Sequence, residues 1–273
     1  MSSSKLSIMV SGLPGKMATE VAKRIATQKD RCNLVPVSFC SARRTERSVL
    51  VEGIAVELIK PEQRTDVVSV LRSPVFAVDY TLPDAANVNA AFYAMHNIPF
   101  VMGTTGGDRA ALEAVVNASK TCAVIAPNMA KPIVTLLAMI KFAAENFPNA
   151  FKGYKLEIIE SHQAGKKDTS GTARAMVKYF NELGIPFTDA QIVMVRGHAD
   201  QIQLGVPREH LQGHGWHDYT LRSADENVLL SFTHNVNGRS VYVDGTLDAI
   251  EFLSRKVAQE IVGQVFTMLD VLR

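Results

Sequence analysis

Residues 6–18 read LSIMVSGLPGKMA, which is a short apolar run, a glycine-rich turn and the beginning of a helical pattern. A tight glycine turn between a buried strand and a helix lets the backbone approach a pyrophosphate, which the helix N-terminus then holds. Ala18 stands where the usual fingerprint has its third glycine, a substitution that the fingerprint permits. The pattern predicts a dinucleotide-binding fold with nucleotide contacts from Gly12, Leu13, Pro14, Gly15, Lys16 and Met17. An ordinary strand-to-helix turn is the alternative interpretation.

The same alternation of apolar runs and helical patterns continues to about residue 130. The predicted strands are Leu6–Val10, Leu34–Phe39, Ile54–Ile59, Val75–Tyr80, Ile98–Met102 and Cys122–Ala126. The predicted helices are Lys16–Gln28, Pro61–Arg72, Pro83–His96 and Asp108–Ser119. Strands that alternate with helices at this spacing indicate βαβ units, a parallel sheet and an α/β fold.

The pattern changes after residue 130, where a long apolar helix, Pro132–Asn146, is followed mainly by strands. These predicted strands are Lys155–Glu160, Ile192–Val195, Asp218–Leu221, Val228–Val236 and Ser240–Val243, with a polar loop at Arg196–His217. Short turns such as Asn237-Gly238 favour an antiparallel or mixed sheet. We expect a helix after Gly171 and a final helix at about Thr246–Leu272. The sequence therefore predicts a Rossmann domain in residues 1–130, completed by residues 244–273, and an α+β domain in residues 131–243.

Composition argues against several classes of protein. The chain of 273 residues has a formal net charge of +2 and no basic block, so we predict neither a nucleic-acid partner nor an anionic membrane surface. Its apolar runs are shorter than the roughly 18 residues of a membrane span. Three cysteines, Cys32, Cys40 and Cys122, lack metal-ligand spacing and are interpreted as reduced thiols. We expect a reducing compartment, the cytoplasm or, after removal of a transit peptide, the plastid stroma.

The end of the second predicted strand bears on the choice of nucleotide. A site that prefers NAD normally has an acidic residue there, which binds the ribose 2′-hydroxyl. This chain has Phe39, Ser41, Arg43 and Arg44 instead, and arginines with hydroxyls suit a 2′-phosphate. We therefore predict NADPH as the preferred cofactor and NADH as a possible one, with Phe39, Ser41 and Arg43 in contact. The alternative is that these arginines belong to a solvated loop.

Small and polar residues follow three further predicted strands. In a doubly wound sheet the carboxyl ends of the strands form the edge where ligands bind. We predict cofactor contacts there from Asp79, Thr81, Gly103, Thr104, Thr105, Ala126, Pro127, Asn128 and Met129. Each segment is also compatible with a plain turn.

Residues 160–173 read ESHQAGKKDTSGTA and carry most of the predicted chemistry. The segment places His162, Gln163 and Lys166 ahead of Ser170-Gly171-Thr172, which has the pattern of a helix start. Free N–H groups and the helix dipole make such a start a site for a carboxylate. We predict His162 and Lys166 as catalytic residues, and Gln163, Ser170, Gly171 and Thr172 as substrate contacts. Lys167 and Asp168 are expected on a solvated face or in a cap.

Four histidines, His198, His210, His214 and His217, lie within the polar loop. Their spacing superficially resembles that of metal ligands, but no cysteine accompanies them and the loop is rich in glycine. We predict no metal site, and we expect a mobile flap or a contact between subunits.

Together these residues resemble the 4-hydroxy-tetrahydrodipicolinate reductase (dihydrodipicolinate reductase) family, and specifically its plant-type branch. The resemblance covers nearly the whole chain, and its specific part is the run Glu160–Lys166. It rests on Gly12–Met17, Asp79–Pro83, Gly103–Gly106, Ala126–Met129, Glu160–Ala173 and the turn Gly238-Arg239-Ser240.

The resemblance implies the reduction of a cyclic imine dicarboxylate, 4-hydroxy-tetrahydrodipicolinate, to tetrahydrodipicolinate with NADPH or NADH. This reaction belongs to lysine biosynthesis through diaminopimelate. The resemblance also implies that the central domain binds substrate and builds a homo-oligomer, a dimer or a tetramer. By position, His162 matches the family's proton donor or acceptor and Lys166 its proton donor, while Gly171 and Thr172 match backbone contacts to a carboxylate. We favour His162 as the donor, with Lys166 holding a carboxylate or polarising the ring.

The chain departs from the bacterial pattern of this family in three places. Gln163 replaces a second histidine and can donate a hydrogen bond but adds no charge. The segment before Ser170 is one residue shorter, with Thr169 in place of Ala-Pro, and no acidic-basic pair follows Phe39. Two other functions stay open at this stage. One is a Rossmann oxidoreductase for a different imine or carbonyl acid, and the other is a non-catalytic regulator that binds NADPH.

Overall fold

The computed structural model describes residues 5–71 and 74–273, in two compact units. The first unit extends to Lys131 and resumes at Tyr242–Arg273, and the second is Pro132–Val241. Arg72, the predicted end of the second helix, lies outside the described residues. None of the described helices is both long and apolar enough to cross a membrane.

The strands of the described residues are β1 Leu6–Ser11, β2 Cys32–Leu34, β3 Val37–Phe39, β4 Ser48–Val51, β5 Ile54–Ile59, β6 Val75–Asp79, β7 Phe100–Met102, β8 Cys122–Ile125, β9 Lys155–His162, β10 Val193–Val195, β11 His214–Arg222, β12 Leu229–Asn237 and β13 Gln264–Phe266. The α-helices are α1 Lys16–Thr27, α2 Arg64–Val70, α3 Ala86–Met95, α4 Arg109–Asn117, α5 Lys131–Asn146, α6 Gly171–Glu182, α7 His198–Leu204, α8 Ser240–Ala258 and α9 Met268–Leu272. Short 3₁₀ turns cover Pro61–Gln63, Pro83–Ala85, Asp189–Gln191 and Arg208–His210.

The first unit contains the predicted parallel sheet, with strands in the order β13-β8-β7-β6-β1-β2. Its central strands are buried throughout, as expected for a sheet that helices cover on both faces. Helix α1 buries Val21 and Ile25, four residues apart, in the core. The predicted α/β fold is confirmed, and the carboxyl ends of β1, β6, β7 and β8 lie along one edge.

The predicted strand Leu34–Phe39 is wrong as a single element. It divides into β2, which pairs with β1, and β3, which pairs with β5 in a separate three-stranded sheet. The break falls at Pro36, because proline has no N–H to donate to a strand ladder. Strand β5 therefore belongs to this smaller sheet and not to the main one. It forms a hairpin with β4, a strand that was not predicted from the sequence. Its two-residue turn, Glu52-Gly53, has positive φ at both positions, as tight hairpins favour.

The predicted C-terminal elements also need correction. Residues Ser240–Val243 were expected as a strand but begin the helix α8. Their β-branched and aromatic side chains favour strands, yet Val243 and Leu247 are buried on one helical face, and that packing overrides the local preference. The predicted helix Thr246–Leu272 is interrupted, because Glu260 and Gly263 adopt positive φ. Strand β13 follows and adds a sixth strand beside β8.

The second unit contains a mixed sheet in the order β10-β9-β11-β12, as predicted. Strands β9 and β10 are parallel, while β11 is antiparallel to both β9 and β12. Helix α6 packs Met176 and Phe180 into a core with Ile158 and Tyr219. The predicted polar loop Arg196–His217 is wrong in its first half and at its end, because it contains α7 and the first four residues of β11, His214–His217.

Gly245 offers a direct test of packing in the first unit. A Cβ at this position would lie 1.7 Å from the carbonyl oxygen of Met129, so backbone must move to admit it. We expect Gly245→Ala to lower the free energy of unfolding by about 3 kcal/mol, the upper part of the usual range for overpacking. Urea unfolding followed by circular dichroism measures the change. Ser254→Ala in the same helix is the control, and an equal effect of both substitutions would contradict the packing argument.

Candidate active site

The carboxyl end of β9 and the start of α6 enclose a short connection, residues 163–169, which we call the active-site loop. Ser170 caps α6, and its Oγ accepts a hydrogen bond of 3.0 Å from the N–H of Ala173. The N–H groups of Gly171 and Thr172 have no partner within the helix. The predicted helix start is confirmed, and it presents two backbone donors and the positive end of the helix dipole.

The hydrogen bonding of His162 defines its tautomer. Its Nδ1 lies 3.1 Å from the carbonyl oxygen of His214, which can only accept, so Nδ1 carries the proton. Nε2 is then unprotonated, and it is buried without a hydrogen-bond partner among the described residues. Burial, and then the charge that His217 can carry, lower the pKa of His162 to about 4. His162 is therefore a neutral hydrogen-bond acceptor near pH 7.

Glu160 lies under the active-site loop and is fully buried. Its Oε2 accepts from the N–H of Ser170 at 3.0 Å, and its Oε1 accepts from Nη2 of Arg196. Burial alone raises the pKa of this carboxyl, but hydrogen bonds from His217, Arg196 and Ser170 outweigh it and lower the pKa to about 2. The carboxylate stays charged and holds the residue that caps α6.

Lys166 lies in the active-site loop with its side chain 21% exposed. Its ammonium donates to Oδ1 of Asp168 at 2.9 Å, and this contact lowers the pKa of Asp168. Asp168 was expected on a solvated face or in a cap; it is exposed, and it also pairs with the predicted catalytic ammonium. Because Asp168 is itself 67% exposed, this pair is screened by water and a bound carboxylate can replace it.

Two of the four histidines in the segment 196–217 reach this site. His217 Nε2 lies 2.8 Å from Ser170 Oγ and 3.7 Å from Glu160 Oε2, and its ring packs edge-on against His162. His214 Nε2 lies 2.8 Å from Ser161 Oγ. The expected mobile flap is therefore wrong for this part of the segment, which supports the site from within the sheet.

Three of these groups, Glu160, His162 and His217, offer ligand atoms within 4.8 Å of one another. Both oxygens of Glu160 already accept hydrogen bonds from Ser170 and Arg196. A divalent cation would have to compete with the Arg196 guanidinium for the same carboxylate. The geometry gives no support to a metal centre here.

The first unit carries the predicted nucleotide turn. Gly12 has φ of +107°, and a Cβ there would lie 2.4 Å from the carbonyl oxygen of Tyr80. Gly15 precedes α1, whose N-terminus receives no side-chain cap. The first N–H groups of α1, from Lys16 to Ala18, have no partner within the helix. The backbone and the helix end are therefore suited to a pyrophosphate.

The other predicted nucleotide residues divide by exposure. Four have side chains buried in the core and can reach a nucleotide through backbone atoms, namely Leu13, Phe39, Ala126 and Met129. Those with exposed side chains are Pro14, Lys16, Ser41, Arg43, Thr105 and Pro127, and those of intermediate exposure are Gly12, Gly15, Met17, Thr81, Gly103 and Asn128. The Phe39 ring packs against Phe92 and Tyr93, with the Arg64 guanidinium over its face.

Asp79 is fully buried at the end of β6 and serves the turn residues around it. Its Oδ1 accepts from Thr81 Oγ1 at 2.7 Å and from Thr104 Oγ1 at 2.8 Å. Its Oδ2 accepts from Asn89 Nδ2 at 2.8 Å and from Tyr93 Oη at 2.9 Å. The carboxylate thus fixes two predicted cofactor residues, and its own contact with a nucleotide is not favoured by this geometry.

Gly103 has a packing reason that the sequence did not reveal. A Cβ at this position would lie 2.3 Å from the ring of Tyr80, whose hydroxyl hydrogen-bonds Thr246 at 2.6 Å. The glycine is therefore required by an aromatic ring of the protein itself.

Several residues of both sites escaped the sequence analysis. They are Arg64 and Asn89 in the first unit, and Glu160, Arg196, Gln201 and His217 in the second. All of these act through contacts between residues far apart in the chain. A charged residue within the buried strand pattern was the available signal for Glu160 alone.

Comparison with known proteins identifies the family. Sequence models of the N-terminus and the C-terminus of dihydrodipicolinate reductase match residues 6–129 and 133–272. The chain is 44% identical over 272 residues to 4-hydroxy-tetrahydrodipicolinate reductase 1, chloroplastic, of Arabidopsis thaliana, covering 98% of this chain and 78% of that protein. It is 44% identical over 270 residues to a probable chloroplastic reductase 2 of Oryza sativa subsp. japonica, covering 97% and 82%.

A solved structure shows the same fold at much lower identity. Dipicolinate-bound dihydrodipicolinate reductase from Paenisporosarcina sp. TG-14 superposes with a TM-score of 0.66 at 19% identity, covering 99% of this chain and 100% of that one. With two family models spanning nearly every residue and relatives at 44% identity, the chain belongs to the dihydrodipicolinate reductase family.

Proposed function

We propose that this protein reduces 4-hydroxy-tetrahydrodipicolinate to tetrahydrodipicolinate with a reduced pyridine nucleotide, in lysine biosynthesis through diaminopimelate. The family supports the reaction, since the relatives at 44% identity are named for this reductase. The observation that carries the proposal is that one continuous segment, residues 162–172, supplies a neutral imidazole at the end of β9, an ammonium in the active-site loop and a free helix N-terminus. A small dicarboxylic acid needs these groups together.

Binding of the acid begins at the start of α6. The N–H groups of Gly171 and Thr172 receive one carboxylate, with the helix dipole behind them. When His217 Nε2, 2.8 Å away, carries its proton, Ser170 Oγ accepts from it as well as from Ala173 N–H, and its own hydroxyl hydrogen is then available to the ligand. Lys166 exchanges its partner Asp168 for the substrate, and Gln163 supplies a neutral donor.

The structure favours Lys166 as the source of the proton. The 4-hydroxyl group must leave as water to give a conjugated ring. Hydride addition to that ring leaves it one proton short, and the ammonium at Lys166 Nζ can supply the proton. His162 was favoured as the donor from sequence, but a neutral ring with a bare Nε2 has no proton to give at that atom. Nε2 instead accepts a hydrogen bond from the substrate and orients the reacting ring.

The nucleotide turn of the first unit holds the cofactor, which supplies the hydride when bound. The N–H groups from Lys16 to Ala18 bind its pyrophosphate, and Thr81, Thr104 and Gly103 line the neighbouring strand ends. We propose that Arg43, which is exposed at the end of β3, binds a 2′-phosphate and makes NADPH the preferred nucleotide. Arg44 is less available, because it pairs with Glu46 at 3.6 Å.

A coupled assay tests the reaction. Aspartate semialdehyde, pyruvate and the synthase of the preceding step generate the unstable substrate in place, and the loss of nucleotide absorbance reports its reduction. We expect turnover with NADPH and slower turnover with NADH. Oxidation of NADPH with other imine acids but not with this mixture would favour a different oxidoreductase, and nucleotide binding without turnover would favour a regulator.

We also propose that the second unit assembles copies of the chain into a dimer or a tetramer. The outer strands of its sheet, β10 and β12, expose apolar side chains that a partner can cover, including Val193, Met194, Leu229 and Leu230. Light scattering should give about two or four times the chain mass of 29.8 kDa. A monomer at micromolar concentration would contradict this assembly.

Because the plant relatives are named chloroplastic, we propose the plastid stroma as the compartment.

His162→Gln tests the role of the imidazole. We expect kcat to fall by about 10²-fold with a smaller change in KM, because the lost hydrogen bond orients the reacting ring more than it binds it. Steady-state kinetics in the coupled assay measures both constants, and His198→Gln, at an exposed histidine of the same unit, is the control.

The pH dependence separates the two roles of His162. A neutral acceptor with a pKa of about 4 keeps the enzyme active down to about pH 5, with no loss between pH 7 and 6. A cationic donor would instead make kcat rise steadily as the pH falls toward 4. That second profile would contradict the acceptor role.

Arg43→Ala tests nucleotide preference. We expect KM for NADPH to rise about tenfold and KM for NADH to change little, because a charge-assisted hydrogen bond to the 2′-phosphate is lost. Arg47→Ala, at another exposed arginine nearby, is the control. Equal losses with both nucleotides would show that Arg43 does not read the 2′-phosphate.

A further inference from the structure

Arg196 follows β10 and has its side chain 17% exposed. All five N–H groups of its guanidinium have acceptors within the second unit. Nε donates to the carbonyl oxygen of Lys166 at 2.8 Å, and Nη1 donates to the carbonyl oxygens of Glu160 and Val195 at 3.2 Å each. Nη2 donates to Glu160 Oε1 and to the carbonyl oxygen of Asp168 at 3.4 Å.

These five acceptors come from three segments. Two belong to the active-site loop, at Lys166 and Asp168, and two belong to Glu160 on β9. The fifth is Val195, the last residue of β10. The guanidinium therefore joins the middle of the active-site loop to the ends of two paired strands.

Both ends of the loop are anchored by other residues. At its beginning, the carbonyl oxygen of His162 accepts from Nε2 of the fully buried Gln201 at 2.7 Å. At its end, Glu160 and His217 hold Ser170. Arg196 anchors the loop between these two points, because it donates a hydrogen bond to the peptide carbonyl of Lys166 itself.

The requirement is geometric more than electrostatic. Four of the five acceptors are neutral peptide carbonyls, and one is a carboxylate. A planar guanidinium directs five donors along fixed lines, whereas a lysine ammonium has three donors at a single point. A lysine at this position keeps the charge and cannot serve the same set of acceptors.

We propose that Arg196 is a positioning residue for the reduction, which holds the active-site loop so that the Lys166 ammonium meets the dicarboxylate bound at α6. It touches neither substrate nor cofactor and acts through the backbone of Lys166 and through Glu160. This inference rests on the proposed function, because it concerns how that reaction's acid is bound.

The test compares Arg196→Lys with Arg222→Lys, an exposed arginine at the far end of β11. Coupled kinetics should show kcat/KM for the acid about 100-fold lower in Arg196→Lys, the scale of loss that a displacement of about 1 Å produces. KM for NADPH should stay unchanged, and weaker binding of pyridine-2,6-dicarboxylate, measured by calorimetry, should accompany the loss. Arg222→Lys should behave as the unmodified protein.

Hydrogen exchange read by mass spectrometry gives a readout that does not depend on activity. We expect faster exchange in residues 163–170 of Arg196→Lys and unchanged exchange in β9 and β11. Exchange that rises equally in those strands would assign Arg196 to the stability of the sheet and overturn the proposal. Normal exchange and normal kinetics in Arg196→Lys would also overturn it, because charge alone would then suffice. Absence of turnover in the unmodified protein would contradict the proposed function. The exchange result would still decide whether Arg196 holds the active-site loop.

Discussion

The candidate active site in the second unit depends on one buried carboxylate, that of Glu160. Its two oxygens accept from the Ser170 N–H and from Arg196, and those two residues fix the start of α6 and the loop that carries Lys166. A buried charge is costly unless it is paired and hydrogen-bonded, and this one is both. Because the partners come from three separate segments, removal of the carboxylate would release a helix cap and leave an arginine uncompensated.

The nucleotide half uses the same physical arrangement at a different strand end. Asp79 is buried at the end of β6, and its oxygens accept from threonines of two turns and from Asn89 and Tyr93. In both units a buried acid holds the backbone of a turn, Glu160 through the N–H of Ser170 and Asp79 through Thr81 and Thr104. The hydroxyl hydrogens of the two threonines are donated to Asp79, so backbone N–H groups are the donors that these turns leave for an anionic ligand.

Sequence alone predicts the parts of this structure that rest on local pattern. The glycine turn before α1, the helix start at Gly171 and the alternation of buried strands are short-range features, and the structure confirms them. Two features could not be predicted in this way, the division of one predicted strand at Pro36 and the helix that begins at Ser240. Both depend on pairing and packing with segments that are distant in the chain, and a local pattern does not contain that information.

The supporting residues of the site show the same limit more sharply. Arg196 lies 30 residues from Lys166 and Gln201 lies 39 residues from His162, in a segment whose polarity favoured a loop. His217 was noticed only as one of four histidines in a segment that was expected to be a mobile flap or a contact between subunits. Its contact with Ser170 exists because β11 pairs with β9 and brings His217 opposite Glu160.

The burial that keeps His162 neutral also lowers the stability of the second unit at acid pH. Burial lowers the pKa of His162 to about 4 and that of His234 to about 3, from an ordinary value of 6.5. The unfolded chain binds protons at these positions below about pH 6.5, whereas the folded chain does not, so their contribution to stability declines as the pH falls from there toward 4. The low pKa of Glu160 acts in the same direction at still lower pH, because its charged form is the one that the fold retains. Burial therefore has two effects in this pocket. It keeps the imidazole neutral, so that the ring can accept a hydrogen bond, and it lowers the stability of the fold at acid pH. Both effects follow from the same exclusion of water.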